Sequence, residues 1–489
     1  MKTTRYFMTL CLAALALVFT GCTDDEDAAS TQMRIDKIFL ENIDDEVNND
    51  REVTFARLGQ LLRIQGSGFT GLKRIYINGY ETYFNNALMT DNNVWVTLNG
   101  KTPVEKADED VRNTIVLYKS DGNQLVYPFT IRAASPSVSG IDNSLPKAGE
   151  TVTVFGSNLQ ETTKITLPDG TVITDGIVND EDGEFYTFTV PASADLSVAG
   201  SITSEGANGT AVTPTYFNDF RNFITDFDSK GELGSWSATY SSDDLVDDPL
   251  NTGRGKVAML VPQVKLDAGG LDAGSNALLW ATAGNDNAND DWSRMFSVIP
   301  ESTPVTDIAL QFDIYCPEPW DLTGQLEFSL QNNLSNYGWD SGCTKFSSQY
   351  MNTAAVWIPW LADDGTHQAF TTGERWQTIT LPLTKFGNYN AETASSDADK
   401  ATANSATMQK VAVDRNSGSY RNFLFLFVNS DIVTEEGVTP VLNFPAKPFS
   451  QKIYIDNLRI VSTAAISVSD FNDETGEDDA VTPETPTEE

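Results

Sequence analysis

The sequence predicts an all-β protein built from several antiparallel sandwiches. Short alternating or wholly apolar runs recur along its 489 residues between clusters of Gly, Asn, Asp and Pro, which is the pattern of strands separated by turns. Two stretches of the first half repeat each other in spacing, and no long amphipathic helix pattern interrupts the chain. The length is that of two to four domains.

The first 21 residues have the composition of an export signal. Lys2 and Arg5 precede the mostly apolar run 7–19, and Gly21 stands directly before Cys22. The run is too short for a spanning helix, and its order of charge, apolar residues and small residue is typical of a secretory signal. The segment resembles a bacterial lipoprotein signal, which implies that Cys22 is lipidated; the alternative is an ordinary signal cleaved nearby.

An acidic leader follows the signal. Residues 23–27 read Thr-Asp-Asp-Glu-Asp, a composition that predicts a solvated, disordered segment. Acidic residues at this position also resemble the export signal of surface-exposed lipoproteins in the Bacteroidetes. The resemblance implies a protein on the outer face of the outer membrane, held to the membrane by its lipid alone.

The net charge of −37 limits the partners of the chain. A field of this sign repels nucleic acid and other polyanions unless a basic patch intervenes, and the sequence contains no dense cluster of Lys and Arg. The composition therefore favours a neutral ligand and argues against nucleic acid.

Two segments of the first half share one spacing. Residues 59–69 (GQLLRIQGSGF) and 149–159 (GETVTVFGSNL) each place a strand before a Gly, then Gly68 or Asn158 where a turn needs a positive φ, then an apolar residue. They predict two immunoglobulin-like sandwiches and resemble the IPT/TIG class. Neither sandwich contains a catalytic constellation, so both are interpreted as spacers; the alternative is that they carry a second glycan or protein contact. The expected strands in them include Leu61–Gln65, Arg74–Asn78, Asn113–Tyr118, Thr151–Phe155 and Lys164–Leu167.

Beyond residue 217 the strand candidates are separated by longer polar loops. Phe223–Asp228, Arg375–Leu383 and Ile453–Ile460 resemble elements of jelly-roll carbohydrate-binding modules. A larger jelly-roll-like β-sandwich is therefore expected here. Its strand candidates are Lys256–Val261, Ala277–Ala281, Ile308–Tyr315, Leu326–Leu330, Trp376–Leu381, Phe423–Val428 and Lys452–Ile460.

The whole chain is accordingly divided into a signal peptide (1–21), an acidic leader (22–33), immunoglobulin-like domains (34–133 and 134–216), a C-terminal sandwich (217–465) and an acidic, disordered tail (466–489).

Eight of the nine tryptophans lie beyond residue 235, and several stand in turn-rich surroundings. Exposed indole rings on loops are costly unless a partner covers them, and the flat apolar face of a sugar suits them. Trp236, Trp280 and Trp376 stand in apolar or small-residue surroundings and are interpreted as core. The residues predicted to contact a glycan are Trp320, Trp339, Trp357, Trp360, Trp292 and Tyr337.

Two cysteines remain after the signal and the anchor. Cys316 and Cys343 are candidates for one disulfide in an oxidising compartment, which would tie together the segments that carry Trp320 and Trp339. The alternative is a pair of buried free thiols.

A lipoprotein signal, immunoglobulin-like repeats and a Trp-rich C-terminal sandwich, in that order, resemble surface glycan-binding protein B of Bacteroidetes polysaccharide-utilisation systems. The resemblance implies capture of a neutral polysaccharide, xyloglucan or another β-glucan, beside an outer-membrane transporter pair and surface hydrolases. It implies a binding protein without catalytic activity.

Two other function classes remain open at this point. A glycoside hydrolase needs two carboxylates at a defined separation, and 69 Asp and Glu residues always supply a pair. The single histidine, His367, excludes a His-rich metal centre and is interpreted as a loop residue. An adhesin for host protein or mucin fits the modular array equally well.

No cofactor is required by this interpretation, but a structural calcium ion is considered. Asp226, Asp228 and Asp456 occupy segments where jelly-roll modules place carboxylate ligands. The alternative is that all three are exposed turn acids.

Overall fold

The computed structural model describes residues 32–41, 51–229, 233, 240–260, 277–281, 291–330, 354–392, 394, 396–417, 423–429, 431–434, 439–466 and 468. The chain forms two compact units, one ending at Ile131 and the other beginning at Arg132.

The first unit is a β-sandwich. Its sheets have the strand orders β2-β1-β4-β7 and β6-β5-β8-β9, with a small pair β10-β3 beside them. Alternate residues of β4, such as Leu62 and Ile64, are fully buried, because period-2 alternation places every second side chain in the core. The strands are β1 (Arg34–Glu41), β2 (Arg51–Glu52), β3 (Phe55–Arg57), β4 (Leu61–Ser67), β5 (Leu72–Ile77), β6 (Tyr80–Thr82), β7 (Asn93–Thr97), β8 (Thr114–Lys119), β9 (Gln124–Pro128) and β10 (Thr130–Arg132).

A second sandwich opens the second unit. Its two sheets have the orders β11-β12-β16-β15 and β14-β13-β17-β18. Val152, Val154 and Ile165 lie in the core between them, each without exposed surface. The strands are β11 (Ser137–Ile141), β12 (Thr151–Ser157), β13 (Thr162–Thr166), β14 (Val172–Ile173), β15 (Val178–Asn179), β16 (Phe185–Thr189), β17 (Thr203–Gly206) and β18 (Gly209–Val212).

The predicted repeat is present in both sandwiches. Gly68 and Asn158 adopt φ of 76° and 59°, and the apolar residues after them, Phe69 and Leu159, are buried at 0% and 1% exposure. Gly156 is required because a Cβ there would lie 1.9 Å from the Ser137 carbonyl oxygen of the neighbouring strand. Both positive-φ turns and both apolar residues are confirmed.

The C-terminal sandwich pairs two sheets. One has the order β20-β21-β30-β23-β26, with β19 also on β30, and the other has the order β22-β27-β24-β25. The core between them is rich in rings: Phe312 and Phe328 lie 4.6 Å apart by ring centroids, and Trp280 stacks on Phe425. The strands are β19 (Phe223–Thr225), β20 (Val246–Asp247), β21 (Lys256–Leu260), β22 (Ala277–Ala281), β23 (Ile308–Tyr315), β24 (Gln325–Ser329), β25 (Ala354–Trp357), β26 (Gln377–Pro382), β27 (Leu424–Val428), β28 (Ile432–Val433), β29 (Asn443–Phe444) and β30 (Ile453–Ser462).

Two short helices, α1 (Asp397–Asn404) and α2 (Met408–Ser417), were not predicted. The Ser396 hydroxyl caps α1 by accepting from the Asp399 N–H, but neither helix is long enough for a clear period of 3.6 residues. Among the described residues, no helix has the length and apolarity needed to cross a bilayer. Short 3₁₀ turns lie at Ser242–Asp244, Trp292–Ser297, Val305–Asp307, Leu383–Lys385 and Gly387–Tyr389.

A buried polar interface joins the second sandwich to the C-terminal one. Arg459, 1% exposed, donates from Nη2 to Ser144 Oγ (2.7 Å) and Gln311 Oε1 (2.8 Å). Ala309 and Val461 of the C-terminal sandwich pack in the apolar core of the second sandwich. These contacts explain why the two sandwiches belong to one compact unit.

Candidate functional site

Three of the predicted glycan-contact residues come together at the β24–β25 side of the C-terminal sandwich. Trp357 ends β25, and Trp320 stands after the stiff Cys316–Pro319 segment that follows β23. Their ring centroids lie 6.1 Å apart in an edge-to-face arrangement. Trp360 lies three residues after Trp357. Its indole N–H donates to the carbonyl oxygen of Gly324 at 3.0 Å, and Gly324 directly precedes β24, the strand that pairs with β25.

Trp320 and Trp360 are core residues, so their assignment as sugar platforms is wrong. They are 0% and 1% exposed. The Trp320 indole N–H donates to the Thr323 carbonyl at 2.6 Å, and its ring packs against Phe427 and Phe449. A ring covered on its faces and satisfied at its N–H has no surface left for a ligand.

Trp292 is buried as well, which contradicts its assignment to a binding surface. It begins a 3₁₀ turn, is 0% exposed, and lies 5.4 Å from the Arg415 guanidinium carbon. Trp280 and Trp376 are 0% and 2% exposed, which confirms their assignment to the core. Trp339 and Tyr337 lie outside the described residues, so their role remains a prediction.

Trp357 is the described candidate that keeps part of its ring exposed. Phe312, Trp320 and Phe370 contact it edge-to-face at centroid distances of 5.5, 6.1 and 5.4 Å. This packing fixes the indole plane through three neighbours, and the residue as a whole stays partly exposed. A ring held in this way loses little conformational entropy when a flat ligand binds it.

Phe370, Phe444 and His367 extend the partly exposed aromatic surface around Trp357. Phe444 packs edge-to-face on Trp360 at 5.2 Å and on His367 at 5.8 Å. The His367 side chain is 45% exposed, and its Nδ1 lies 3.4 Å from Asp321 Oδ1. We call these four residues, Trp357, Phe370, Phe444 and His367, the aromatic rim.

Sequence reasoning missed Phe370 and Phe444 and left His367 as a loop residue. Both phenylalanines follow polar or small residues, and each belongs to a very short pairing: Phe370 bridges Trp320, and Phe444 lies in β29. A cluster of His, Gln and Phe at 367–370 after a tryptophan pair was the available signal. Only tertiary packing brings it beside Trp357.

Cys316 is a buried free thiol. Burial raises the pKa of this thiol to about 12, and its Sγ lies 3.3 Å from the Glu318 carbonyl oxygen. The structure therefore supports the free-thiol alternative at this position, and its partner in the predicted disulfide, Cys343, lies outside the described residues.

Two of the three acids considered for calcium, Asp226 and Asp456, accept hydrogen bonds from their own neighbours, and the calcium site stays a prediction. No group of three or more His, Cys, Asp or Glu side chains is placed to hold a metal within the part of the chain that the structure describes. Asp226 instead accepts from the N–H groups of Asp228 and Ser229, and Asp456 accepts from its neighbour Asn457. Burial and the nearby Asp313 carboxylate raise the pKa of Asp456, so this acid is not an exposed turn residue.

Comparison with known proteins gives the chain its family. Residues 217–462, half of the chain, match the family model of the surface glycan-binding protein B xyloglucan-binding domain. An IPT/TIG domain-containing protein of Bacteroides ovatus is 25% identical over 232 residues, which cover 45% of this chain and 46% of that protein. The chain thus spans about half the length of this curated relative.

A solved structure agrees on the fold. The surface glycan-binding protein PbSGBP-B of Prevotella bryantii matches with a TM-score of 0.59 and 18% identity, over 89% of this chain and all of that one. SGBP-B from a complex xyloglucan utilization locus in Bacteroides uniformis matches with a TM-score of 0.43 and 17% identity, over 88% and 99% of the two chains. The chain belongs to the surface glycan-binding protein B family, whose members bind glycans and are not enzymes.

Proposed function

We propose that this chain captures a neutral β-glucan, xyloglucan first among them, at the cell surface without cleaving it. The observation that supports this most directly is the aromatic rim. It lies within the residues that match the xyloglucan-binding domain and combines accessible ring surface with a rigid, buried support.

The rim suits a sugar chain for physical reasons. The C–H faces of a β-linked glucan are flat and apolar, and stacking on an aromatic ring contributes about 1–3 kcal/mol for each platform by analogy with base stacking. Hydrogen bonds to the hydroxyls then set the orientation. His367 and Asp321 supply exposed polar atoms beside the rings. Trp339 and Tyr337 complete the proposed platform.

The N-terminal residues support the proposed capture at the cell surface. We propose that lipidated Cys22 anchors the chain in the outer membrane and that the acidic leader directs it to the outer face. A transporter pair and surface hydrolases are the proposed partners for the captured glycan. Cys22→Ser should move the protein from the membrane to the soluble fraction and abolish its labelling by radioactive palmitate; retention of the label would refute the anchor.

Affinity gels containing xyloglucan, mixed-linkage β-glucan or glucomannan test the binding site. Trp357→Ala and Trp339→Ala should each reduce retardation by xyloglucan by about tenfold or more in apparent affinity, since each removes one stacking platform. Trp95→Ala is the matched control, because Trp95 is a partly exposed tryptophan of the first unit.

Each variant is first compared with the native chain by thermal unfolding. Unchanged retardation in folded Trp357→Ala would refute the role of the rim, and release of reducing sugar by the native chain would favour a hydrolase. Binding to mucin, with no retardation by any of the three polysaccharides, would favour an adhesin.

A further inference from the structure

A pocket on the first sandwich is not accounted for by a spacer role. It has a volume of about 410 Å³, in the range of small-molecule sites. It opens on the outward face of the β6-β5-β8-β9 sheet. Its lining consists of Lys73, Arg74, Tyr76, Gly79, Val111, Val116, Tyr118 and Lys119.

Two tyrosines form the base of this pocket. Tyr76 on β5 and Tyr118 on β8 contact each other edge-to-face, with ring centroids 5.5 Å apart and planes at 83°. Both are partly exposed, whereas their neighbours Ile75 and Leu117 are fully buried on the opposite face of the sheet. The rings therefore point away from the core of the sandwich and do not stabilise it by burial.

Three cations surround the rings. Arg74 is held in place by its Nη1 donating to Tyr76 Oη at 3.2 Å and by Glu81 at 3.6 Å. Lys73 makes no ion pair within the described residues. Lys119 lies close enough to Asp91 for its charge to help lower the pKa of that carboxyl. Both lysines line the same pocket as the two rings, in a chain whose net charge is −37.

The second sandwich shows that the fold does not require this arrangement. The shared repeat places Lys164 where the first sandwich has Arg74 and Thr166 where it has Tyr76. Arg74 pairs across the sheet with Tyr118, whereas Lys164 pairs with Glu205 and forms an ion pair of 2.7 Å. The corresponding positions of the second sandwich thus carry an exposed ion pair and no tyrosine pair.

We infer that the first sandwich carries a second carbohydrate site, which takes a sugar bearing a carboxylate, namely a uronic acid. Tyr76 and Tyr118 contact the apolar face of the pyranose, and Lys73 and Lys119 pair with its carboxylate. Salt at physiological strength screens the field of the whole chain beyond about 8 Å, so the charged groups at the pocket, and not the net charge, set the interaction. A uronic acid that branches from the polysaccharide would give the protein a second contact. This contact would be separate from the neutral glucan backbone that the C-terminal sandwich is proposed to bind.

The test is calorimetric titration of the full chain with trigalacturonic acid and with its methyl ester, in which methyl groups remove the charge of the carboxylates. The acid should bind at least about tenfold more tightly than the ester. Two double variants should each weaken the binding of the acid by about tenfold or more: Lys73→Gln/Lys119→Gln and Tyr76→Ser/Tyr118→Ser. Tyr76→Phe/Tyr118→Phe keeps both rings and should bind within about threefold of the native chain.

Control variants distinguish binding in this pocket from binding elsewhere on the chain. Lys164→Gln in the second sandwich and Trp357→Ala in the C-terminal sandwich should leave trigalacturonate binding unchanged, while only Trp357→Ala weakens xyloglucan. Equal binding of acid and ester, or no loss in the folded lysine variant, would refute the site. A synthetic peptide of residues 466–489 that binds in place of the sugar, and only when Lys73 and Lys119 are present, would assign the pocket to the acidic tail instead.

Discussion

Trp320, Trp357 and Trp360 share one aromatic cluster, yet burial separates their roles. Trp320 and Trp360 each place the indole N–H on a backbone carbonyl, at Thr323 and Gly324, and these bonds hold the segment that leads into β24. Trp357 is partly exposed, and its ring packs edge-to-face on the ring of Trp320. The buried pair therefore positions the strand, and the partly exposed Trp357 is the one that the proposed glycan platform uses.

Trp320→Ala is expected to destabilise the C-terminal sandwich by about 3–5 kcal/mol, because it leaves a cavity and an unpaired Thr323 carbonyl. Chemical denaturation monitored by fluorescence measures the loss. Trp357→Ala should cost less, since part of that ring is already in water. Equal losses in the two variants would contradict the assignment of Trp320 to the core.

Glu327 gives the sandwich a pH dependence. It is 2% exposed on β24, and burial raises its pKa to about 8 although Gln325 donates to it at 2.6 Å. Because the folded pKa lies above the unfolded value of about 4.3, the stabilising contribution of the protonated acid is complete below pH 4 and is lost as the pH rises towards 8.

Glu327→Gln should flatten this part of the pH profile of the free energy of unfolding and stabilise the protein at pH 8. The effect is expected to be about 1–3 kcal/mol, measured by urea denaturation between pH 5 and 9. Glu205→Gln is the control, since that acid lies in an exposed ion pair. A slope between pH 5 and 8 that persists in Glu327→Gln would contradict the raised pKa of this residue.

At the scale of elements, each of the two small sandwiches depends on a close approach between two of its own strands. Gly156 of β12 lies against the Ser137 carbonyl of β11, and Gly66 of β4 lies against the Arg34 carbonyl of β1, where a Cβ would approach to 1.9 and 1.8 Å. Each contact coincides with a register shift between the strands. A side chain at either position must push the neighbouring strand away.

Gly156→Ala should therefore destabilise the second sandwich by about 1–3 kcal/mol, as overpacking does elsewhere. Gly140→Ala is the matched control, because Gly140 lies in the paired strand β11 and no atom stands within 4 Å of its added Cβ. Differential scanning calorimetry measures both variants. Similar melting temperatures for the two would contradict the close approach.

For the molecule as a whole, the sandwiches of the second unit are coupled through Arg459. Burial lowers the pKa of this guanidinium to about 10, but it stays charged at neutral pH. It also donates to the carbonyls of Tyr216 and Asp219 in the segment that links the two sandwiches. Because Asp142 likewise receives a bond from Arg375 at 2.5 Å, polar contacts cross this boundary at more than one place.

Arg459→Ala is expected to cost about 3–5 kcal/mol, since it leaves buried acceptors unpaired. It should also separate the unfolding of the second unit into two transitions in calorimetry, one for each sandwich. Lys164→Ala, at an exposed ion pair of the second sandwich, is the control. A single transition of unchanged midpoint in Arg459→Ala would contradict the coupling.

The amino-acid sequence predicted much of the architecture from local features. The β-strands Ala277–Ala281 and Ile308–Tyr315 have the predicted bounds, and others differ by one to a few residues at their ends. Helices α1 and α2 were missed because short helices leave little periodicity. The predicted platform failed at Trp320, Trp360 and Trp292, because turn-rich neighbours in sequence do not show what covers a ring in space.

The sequence by itself determined the all-β fold class, the repeated turns of the two small sandwiches and the family, since these depend on alternation, on Gly and Asn at positive φ, and on the order of motifs. Only the tertiary structure decided which rings are exposed. Trp320 is covered by Phe427 and Phe449 from distant parts of the chain, while Tyr76 and Tyr118 are left uncovered. Exposure depends on which elements pack together, and that is a property of the folded chain as a whole.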